Sequence, residues 1–572
     1  MEITNPLIVQ SDRTLLLDVH APLAEQCRDE LIPFAELISS PEHLHTYNVS
    51  PLSLWNASGA GFTPQNVIEV LKKYTRFDIP QNVVVWIQET ASRYGKIRLI
   101  PDGEETQTLL LVCEDFLVFK EIDSNKKLSK YLIQLPEDSV GDERFAFRLQ
   151  LTDRGTIKQE LITLFWPVKD EVPLRDGDPL EVNLLQTTVG GKELVVRDYQ
   201  QKAVKSFLGD GGAGTGYGTV VLPCGAGKTI VGITLMDAVK MHTLIVTTNI
   251  SSVHQWKQEL LDKTDLTEDQ IGEYTGENKN IKPVTIATYQ ILTWRSEKEG
   301  AFPHFQLFNE RNWGLIIYDE VHLLPAPVFR VTAEIQAIRR IGLTATLIRE
   351  DGMEKHVFSL VGPKRYDVPW KELEKFGWIA KSECIEYRLD LADEKQIEYA
   401  TESTRKKHRI ACENPAKVQV VVDLIQKFQE DKILVIGQYL TQLTEIATLL
   451  GCPIITGKTP NVERDKIYES FRNGEIRILF VSKVANFAID LPDASMAIQI
   501  SGTFGSRQEE AQRLGRILRP KERLARFISL ITRNTEEDIF GANRQKFLAE
   551  QGYAYKIVTS IEEIESEALD VI

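Results

Sequence analysis

At 572 residues, with 42% hydrophobic and 26% charged side chains, the chain holds enough apolar material for several cores, and its length predicts three or four soluble, globular domains. A formal net charge of -15 excludes a surface coated in basic residues, so any polyanion must bind locally. No stretch approaches the roughly 18 uncharged apolar residues of a membrane span, and residues 1–13 lack a basic region followed by an apolar one. Neither a span nor a signal peptide is therefore expected, and a cytoplasmic location follows by default.

In chain order, the first predicted elements lie in residues 1–112. Thr63 can cap a helix that starts at Pro64 and turns Val67, Val70, Leu71 and Tyr74 to one side. A second helix follows Pro80, with Val84, Ile87, Ala91 and Tyr94 on its apolar side and Gly95 as its stop. Strands at 96–100 and 106–112, joined by Pro101, Asp102 and Gly103, come next. Helix, turn, helix and hairpin together predict a winged-helix-like domain. His43 and His45 form an HxH with no visible second ligand pair, and the six cysteines (Cys27, Cys113, Cys224, Cys384, Cys412, Cys452) form no CxxC, so no metal site is assigned to either set.

Residues 113–180 are expected to form a small strand-rich domain that ends in a charged, proline-containing linker. Strands and helices then alternate over residues 181–370 and again over 371–555, which predicts an α/β fold with parallel sheets. Within the second block, 390–416 is helical, charged and strand-free, and reads as an insertion carrying Arg405, Lys406, Lys407, His408 and Arg409; 556–572 is an acidic tail.

The chemistry begins after an apolar strand at 218–222. Pro223, Cys224, Gly225, Ala226, Gly227, Lys228 and Thr229 form a Walker A loop in which Leu222 stands where the GxxxxGK[ST] pattern has its first glycine. Gly225 and Gly227 let backbone amides curl toward phosphates at a helix N-terminus. Lys228 is expected to reach the β and γ phosphates of ATP, and the Thr229 hydroxyl to take one Mg²⁺ position. Upstream, Arg197 and Gln200 open a helix from which Gln200 can hydrogen-bond the adenine edge.

Downstream, the apolar run from Trp313 to Tyr318 delivers Asp319 and Glu320 to a strand end, followed by Val321 and His322. One carboxylate suits Mg²⁺ and its neighbour suits the attacking water, so Asp319 pairs with Thr229 as metal ligand and Glu320 acts as base. His322 is placed to report the nucleotide state to residues 344–346. In the second block Gln512, Arg516 and Arg519 supply charge for the departing phosphate, the two arginines sharing a helix face at i and i+3. ATP would then bind between two blocks whose opening and closing moves the protein along a polymer.

Three stretches give a family resemblance: DEVH at 319–322, LTATLIREDG at 343–352, and SKVANFAIDLPDASMAIQISG at 482–502 followed by SRQEEAQRLGRILRPK at 506–521. With them the chain resembles the XPB family of superfamily 2 DNA helicases over nearly its whole length, since HLHTYNVSPLSLWNA at 43–57 is also similar to the family's N-terminal domain. The resemblance implies two RecA-like lobes and an ATP-driven 3′ to 5′ translocase or helicase acting in DNA repair, with any strand cutting left to a nuclease supplied in trans. It aligns Arg349, Glu350 and Asp351 with a signature linked to unwinding, the 390–416 insertion with a thumb-like element, and 113–170 with a damage-recognition domain. It places Thr344, Ala345 and Thr346 in the motif that couples the lobes, and Thr248, Gln255, Trp256 and Thr288 in segments that contact the DNA backbone. Ser482, Lys483 and Asp490 match the second-lobe motif, Asp490 toward the nucleotide, while Ala485, Asn486 and Phe487 depart from its glycine-containing versions. The competing expectation is an ATP-gated DNA clamp or remodelling switch that hydrolyses ATP without processive unwinding; an RNA helicase is disfavoured by DEVH with the Arg-Glu-Asp signature.

Overall fold

The computed structural model describes residues 5–31, 33–39, 44–103, 105–136, 145–174, 176–209, 215–297, 302–324, 338–345, 354–368, 370–482, 494–502, 513–515, 517, 524–550, 553 and 555–565. They divide into two compact units: 1–38, 42–222 and 227–367 in one, and 39–41, 223–226 and 368–572 in the other.

The first unit opens with a four-stranded sheet of β1 (Leu7–Val9), β2 (Thr14–Asp18), β3 (Glu36–Ser39) and β4 (Leu44–Asn48), ordered β1-β2-β4-β3. Alternation in β2 buries Leu15 and Leu17, and onto this face pack Val67, Leu71 and Tyr74 of the helix Pro64–Tyr74 and Val83 and Ile87 of the helix Gln81–Ala91. The first of these helices starts as expected. Thr63 Oγ1 accepts the Asn66 N–H at 3.1 Å and Pro64 occupies the first position, where its missing N–H is no loss.

The hairpin follows, as β5 (Ile97–Asp102) and β6 (Glu105–Cys113), but it is not a wing on those helices. With β7 (Ile133–Gln134), β8 (Ala146–Gln150) and β9 (Val168–Asp170) it forms a five-stranded sheet ordered β7-β8-β6-β5-β9. Ile97, Leu99, Leu109 and Leu111 pack with Phe119, Phe147, Ile157 and Leu161, a core separate from the one that holds the helices. The winged-helix grouping is thus divided between two cores, because the free edge of β6 pairs with β8 and that of β5 with β9.

At the end of β9 the buried Asp170 carboxylate accepts from Arg154 Nη2 at 2.7 Å, Arg154 Nε at 3.0 Å and Lys158 Nζ at 2.8 Å. Burial would raise its pKa, but the two cations outweigh that and hold the carboxyl far below its ordinary range; burial also brings Lys158 down to about 8. Removing one partner of a buried pair strands the other charge, so Asp170→Asn is expected to destabilise residues 97–170 by about 3 kcal/mol at neutral pH. A carboxyl with a depressed folded pKa stabilises above its unfolded value and loses that stability as pH falls. The deficit of the variant, followed by hydrogen exchange of this segment, should be full between the ordinary carboxyl value of 3.8 and neutral pH, shrink below 3.8, and shrink again above about 8, where Lys158 loses its charge.

Seven parallel strands form the first lobe's sheet: β10 (Tyr217–Val221), β11 (Thr243–Thr247), β12 (Ile271–Tyr274), β13 (Val284–Thr288), β14 (Leu315–Asp319), β15 (Arg339–Thr344) and β16 (Lys364–Asp367). Their order is β12-β13-β11-β14-β15-β10-β16. Helices cover both faces, so β10, β11 and β13 are buried along their whole length, as parallel strands between helical layers are. The second unit carries another seven-stranded parallel sheet, of β17 (Ser382–Leu389), β18 (Ile433–Ile436), β19 (Ile454–Ile455), β20 (Ile478–Val481), β21 (Met496–Gln499), β22 (Ala525–Thr532) and β23 (Tyr555–Val558), ordered β19-β20-β18-β21-β22-β17-β23. These are the two RecA-like lobes expected from the sequence. Residues 390–416 are helical, as Asp393–Thr401 and Thr404–Cys412.

Candidate active site

In a parallel sheet, ligands gather at the carboxyl ends of the strands where the strand order reverses. In the first lobe β10 and β11 are consecutive in sequence yet separated by β14 and β15. The ends of β10, β11, β13, β14 and β15 hold Leu222, Thr247 and Thr248, Thr288, Asp319, and Thr344, so Thr248, Thr288, Asp319 and Thr344, all singled out in sequence, stand on the same edge as the loop that follows Leu222.

The loop after β10 turns through Gly225 (φ +79°) and Gly227 (φ +76°) into the helix Lys228–Val239. Both glycines take left-handed backbone, which a side chain disfavours. Gly227 has a second reason to lack a Cβ: one built there would lie 2.5 Å from Gln200 Nε2. Gln200 is buried at 3% exposure, and its Oε1 accepts the Arg197 N–H at 2.9 Å, capping the helix Asp198–Leu208. Arg197 Nη1 donates to Tyr199 Oη at 3.2 Å. The Arg197–Gln200 turn is therefore packed against the glycine that opens the Lys228 helix. Pro223 and Ala226 are buried in the loop, and Cys224 and Thr229 are partly exposed.

Asp319 closes β14. Its Oδ1 accepts the Glu320 N–H at 3.0 Å, while Oδ2 accepts Trp256 Nε1 at 2.9 Å and Thr247 Oγ1 at 3.3 Å; Tyr289 Oη donates to the Asp319 carbonyl at 2.9 Å. Burial and then the neighbouring Glu320 charge raise the Asp319 carboxyl to about 6. Glu320 itself sits at φ +49°, an uncommon conformation for a non-glycine residue and one that clusters at functional sites. That turn points the carboxylate two ways. Oε1 lies 3.5 Å from Lys228 Nζ, and Oε2 lies 3.4 Å from His322 Nδ1. His322 is buried, and its Nδ1 is 2.6 Å from Thr344 Oγ1 at the end of β15. A polar chain thus runs from Lys228 through Glu320 and His322 to Thr344, spanning three elements.

Other expected residues are placed less uniformly. Thr248 and Thr288 are buried, and Thr288 Oγ1 accepts the Ile291 N–H at 3.2 Å to cap the helix Tyr289–Leu292. Gln255 is half-buried on the helix Ile250–Lys263. Trp256 corrects an expectation: at 2% exposure it cannot face a DNA backbone, and its indole N–H is committed to Asp319. Thr247 and Tyr289, which the sequence did not single out, complete the Asp319 surroundings; their signal was position at strand ends next to Thr248 and Thr288.

In the second unit Arg405 and Lys406 are exposed on the helix Thr404–Cys412. Lys406 lies 3.1 Å from Glu402, Arg409 lies 2.6 Å from Glu413, and the Lys407 ammonium sits over the Tyr399 ring at 5.5 Å. The basic run therefore arrives with local acidic partners. Ser482 is buried just after β20, Ala345 is buried after β15, and Arg513 is buried with its guanidinium bonded to Gln499 Oε1. Thr346, Arg349, Glu350, Asp351, Lys483, Asp490, Gln512, Arg516 and Arg519 lie outside the described residues.

Comparison with known proteins adds three segment matches. Residues 373–571 match the family described as ERCC3/RAD25/XPB C-terminal helicase, 193–349 match the type III restriction enzyme res subunit, and 7–136 match a helicase conserved C-terminal domain. The chain is 48% identical to the DNA 3'-5' helicase XPB of Kineococcus radiotolerans over 97% of its own length and 96% of that protein. It is 49% identical to the protein of the same name from Mycobacterium tuberculosis, over 96% of this chain and 97% of that one. A more distant relative, the general transcription and DNA repair factor IIH helicase/translocase subunit XPB of Enterocytozoon bieneusi, is 35% identical over 97% of this chain and 92% of its own.

Proposed function

The chain belongs to the XPB family of DNA helicases, and from that membership we infer an ATP-dependent DNA 3′ to 5′ helicase or translocase that acts in DNA repair. The observation that carries the assignment to this chain is the continuous polar connection from Lys228 through Glu320 and His322 to Thr344. It joins a phosphate-loop lysine to Thr344, the strand-end residue that opens the lobe-coupling motif.

The roles proposed for individual residues are these. Backbone amides of the Walker A loop, from Pro223 through Thr229, cradle the ATP phosphates, and Lys228 balances their charge. Gln200, packed against Gly227, and Arg197, whose N–H it accepts, border the base. Glu320, the base of the DEVH box, orients the attacking water and accepts its proton, and its contact with His322 carries the loss of the γ phosphate to Thr344, Ala345 and Thr346. Gln512, Arg516 and Arg519 supply charge to the departing phosphate, with Asp490 toward the nucleotide.

The residues fit a magnesium ion. Two adjacent carboxylates face one lysine, and Asp319, raised by burial first and then by the Glu320 charge, lies beside a second carboxylate whose charge a cation would offset. Among the described residues no cluster of three His, Cys, Asp or Glu side chains could hold a metal, as expected of an ion held by one carboxylate, one hydroxyl and substrate phosphates. Asp319 and Thr229 would hold Mg²⁺, which when bound neutralises charge on the phosphate oxygens.

DNA contacts fall to the segments that hold Thr248, Gln255, Thr288, Ser482 and Lys483, to Arg349, Glu350 and Asp351 in strand separation, and to Arg405, Lys406, Lys407 and Arg409 on the insertion. The domain division proposed is an N-terminal domain that ends near residue 95, a second domain through about 180, two helicase lobes at 181–370 and 371–555, and the acidic tail. In this reading the protein works in the cytoplasm on single strands and duplex junctions and leaves incision to a nuclease supplied in trans. No helix among the described residues is long and apolar enough to cross a membrane. The test is ATP turnover by the full chain with and without single-stranded DNA. Stimulation by DNA supports the reading; stimulation by RNA in place of DNA overturns it.

A further inference from the structure

Asp319 is held by donors from separate elements. Glu320 N–H comes from its own turn, Thr247 Oγ1 from β11 at 3.3 Å, and Trp256 Nε1 from the helix Ile250–Lys263 at 2.9 Å. The Trp256 contact differs from the other two because it comes from a helix, Ile250–Lys263, that lies outside both the sheet and the Asp319 turn. That helix starts at Asn249, whose Oδ1 accepts the Ser252 N–H at 2.9 Å, one residue after Thr248. Its N-terminal end therefore emerges at the carboxyl edge of the sheet, beside the residues proposed to meet DNA.

The ring is gripped as well as the N–H. A Cβ at Gly232, in the helix that follows the phosphate loop, would lie 2.7 Å from Trp256 Cη2, so the indole is packed flush against that helix. On the opposite edge, Lys257 Nζ donates to Glu273 Oε1 of β12 at 2.9 Å. A displacement of the helix Ile250–Lys263 therefore reaches both the phosphate-loop helix and the Asp319 carboxylate through one rigid side chain with only two rotatable bonds. A charge-assisted hydrogen bond of this kind fixes direction as well as energy.

We propose that Trp256 is a positioning residue that transmits DNA engagement at the helix Ile250–Lys263 to the carboxylate of Asp319, so that DNA sets the orientation of the metal-binding group and thereby the rate of ATP hydrolysis. This rests on the helicase reading above. Coupling between sites is reciprocal, so nucleotide binding at Asp319 must in turn be felt in that helix.

Trp256→Phe keeps an aromatic ring and removes the N–H; Thr247→Val removes the other side-chain donor and leaves the helix untouched. In the full chain, the ratio of ATP turnover with DNA to turnover without it should fall at least about fivefold in Trp256→Phe, with the DNA dissociation constant within about twofold of wild type, and should hold in Thr247→Val. The Mg²⁺ concentration needed for half-maximal binding of a fluorescent, non-hydrolysable ATP analogue should rise in Trp256→Phe. Equal losses with and without DNA, an unchanged ratio, or the same fall in both variants overturns the proposal. Hydrogen exchange in the wild-type chain provides a second test that needs no variant: Mg²⁺ with the ATP analogue, without DNA, should protect residues 250–263, and no change there overturns the linkage. If wild-type turnover fails to respond to any DNA, the helicase reading fails, while the exchange experiment still decides whether the two sites are linked.

Discussion

Lys228→Ala is expected to lower ATP turnover at least about 10³-fold. The side chain is nearly buried, at 11% exposure, and its ammonium already lies 3.5 Å from Glu320 Oε1. A β and γ phosphate group brings several negative charges into a site that holds two carboxylates, one of them, Asp319, already raised to about 6 by burial and by its neighbour. Without the lysine the loop itself meets that charge with backbone amides alone, and the developing charge on the phosphate in the transition state has no full positive partner in the loop. The loss should appear in kcat and in nucleotide affinity together, because the ammonium serves ground state and transition state alike. Steady-state turnover and equilibrium binding of a fluorescent ATP analogue measure both. Wild-type turnover in this variant would show that the nucleotide site lies elsewhere.

Glu320→Gln should separate the two quantities. The amide keeps the shape of the carboxylate and one oxygen to accept from Lys228, so the analogue should bind within a few-fold of wild type. It cannot take a proton, and general-base assistance contributes about 10² to 10⁴ in rate, so turnover should fall by that factor. The variant has a further consequence for the lobe-coupling motif. Glu320 Oε2 is 3.4 Å from His322 Nδ1, which is 2.6 Å from Thr344 Oγ1, so a neutral amide there leaves the ATP-bound state populated and its signal unbroken. DNA held in the presence of ATP should therefore dissociate more slowly than from wild type. If binding of the analogue falls in parallel with turnover, Glu320 is supporting the loop rather than activating water.

Much of this site was legible because its elements are local. Thr63 and Pro64 announced a helix start that the structure reproduces atom by atom, and the apolar run before Asp319 could only be a strand buried on both faces. The hairpin at 97–113 was also legible, but its partner was not. The period of two that buries Leu109 and Leu111 is the same whether β6 meets a helix pair or β8, and β8 lies over 30 residues downstream. Nothing in the local pattern chooses between them.

Trp256 shows a different failure. Val253, Trp256 and Leu260 recur at helical spacing and are all buried, so amphipathicity alone pointed the indole inward. The resemblance assigned its segment to DNA, and a segment's role does not fix the direction of each side chain. What no sequence pattern could supply is that Oδ2 of Asp319 would be waiting at the end of that ring. In the basic run at 405–409 the charge was legible, but the acidic partners Glu402 and Glu413, one turn away on either side, change how much of it is available to a phosphate.

The central claim is that the centre built from Lys228, Asp319 and Glu320 drives the opening of DNA. It is tested most directly by strand displacement on a duplex with a 3′ single-stranded tail, run with the wild-type chain and with Glu320→Gln. The wild type is expected to displace the strand from the 3′-tailed substrate in an ATP-dependent way and little from a 5′-tailed one, and the variant to displace none although it binds both ATP and DNA. ATP turnover stimulated by DNA with no strand displaced would contradict it, and would leave an ATP-gated clamp in place of a helicase.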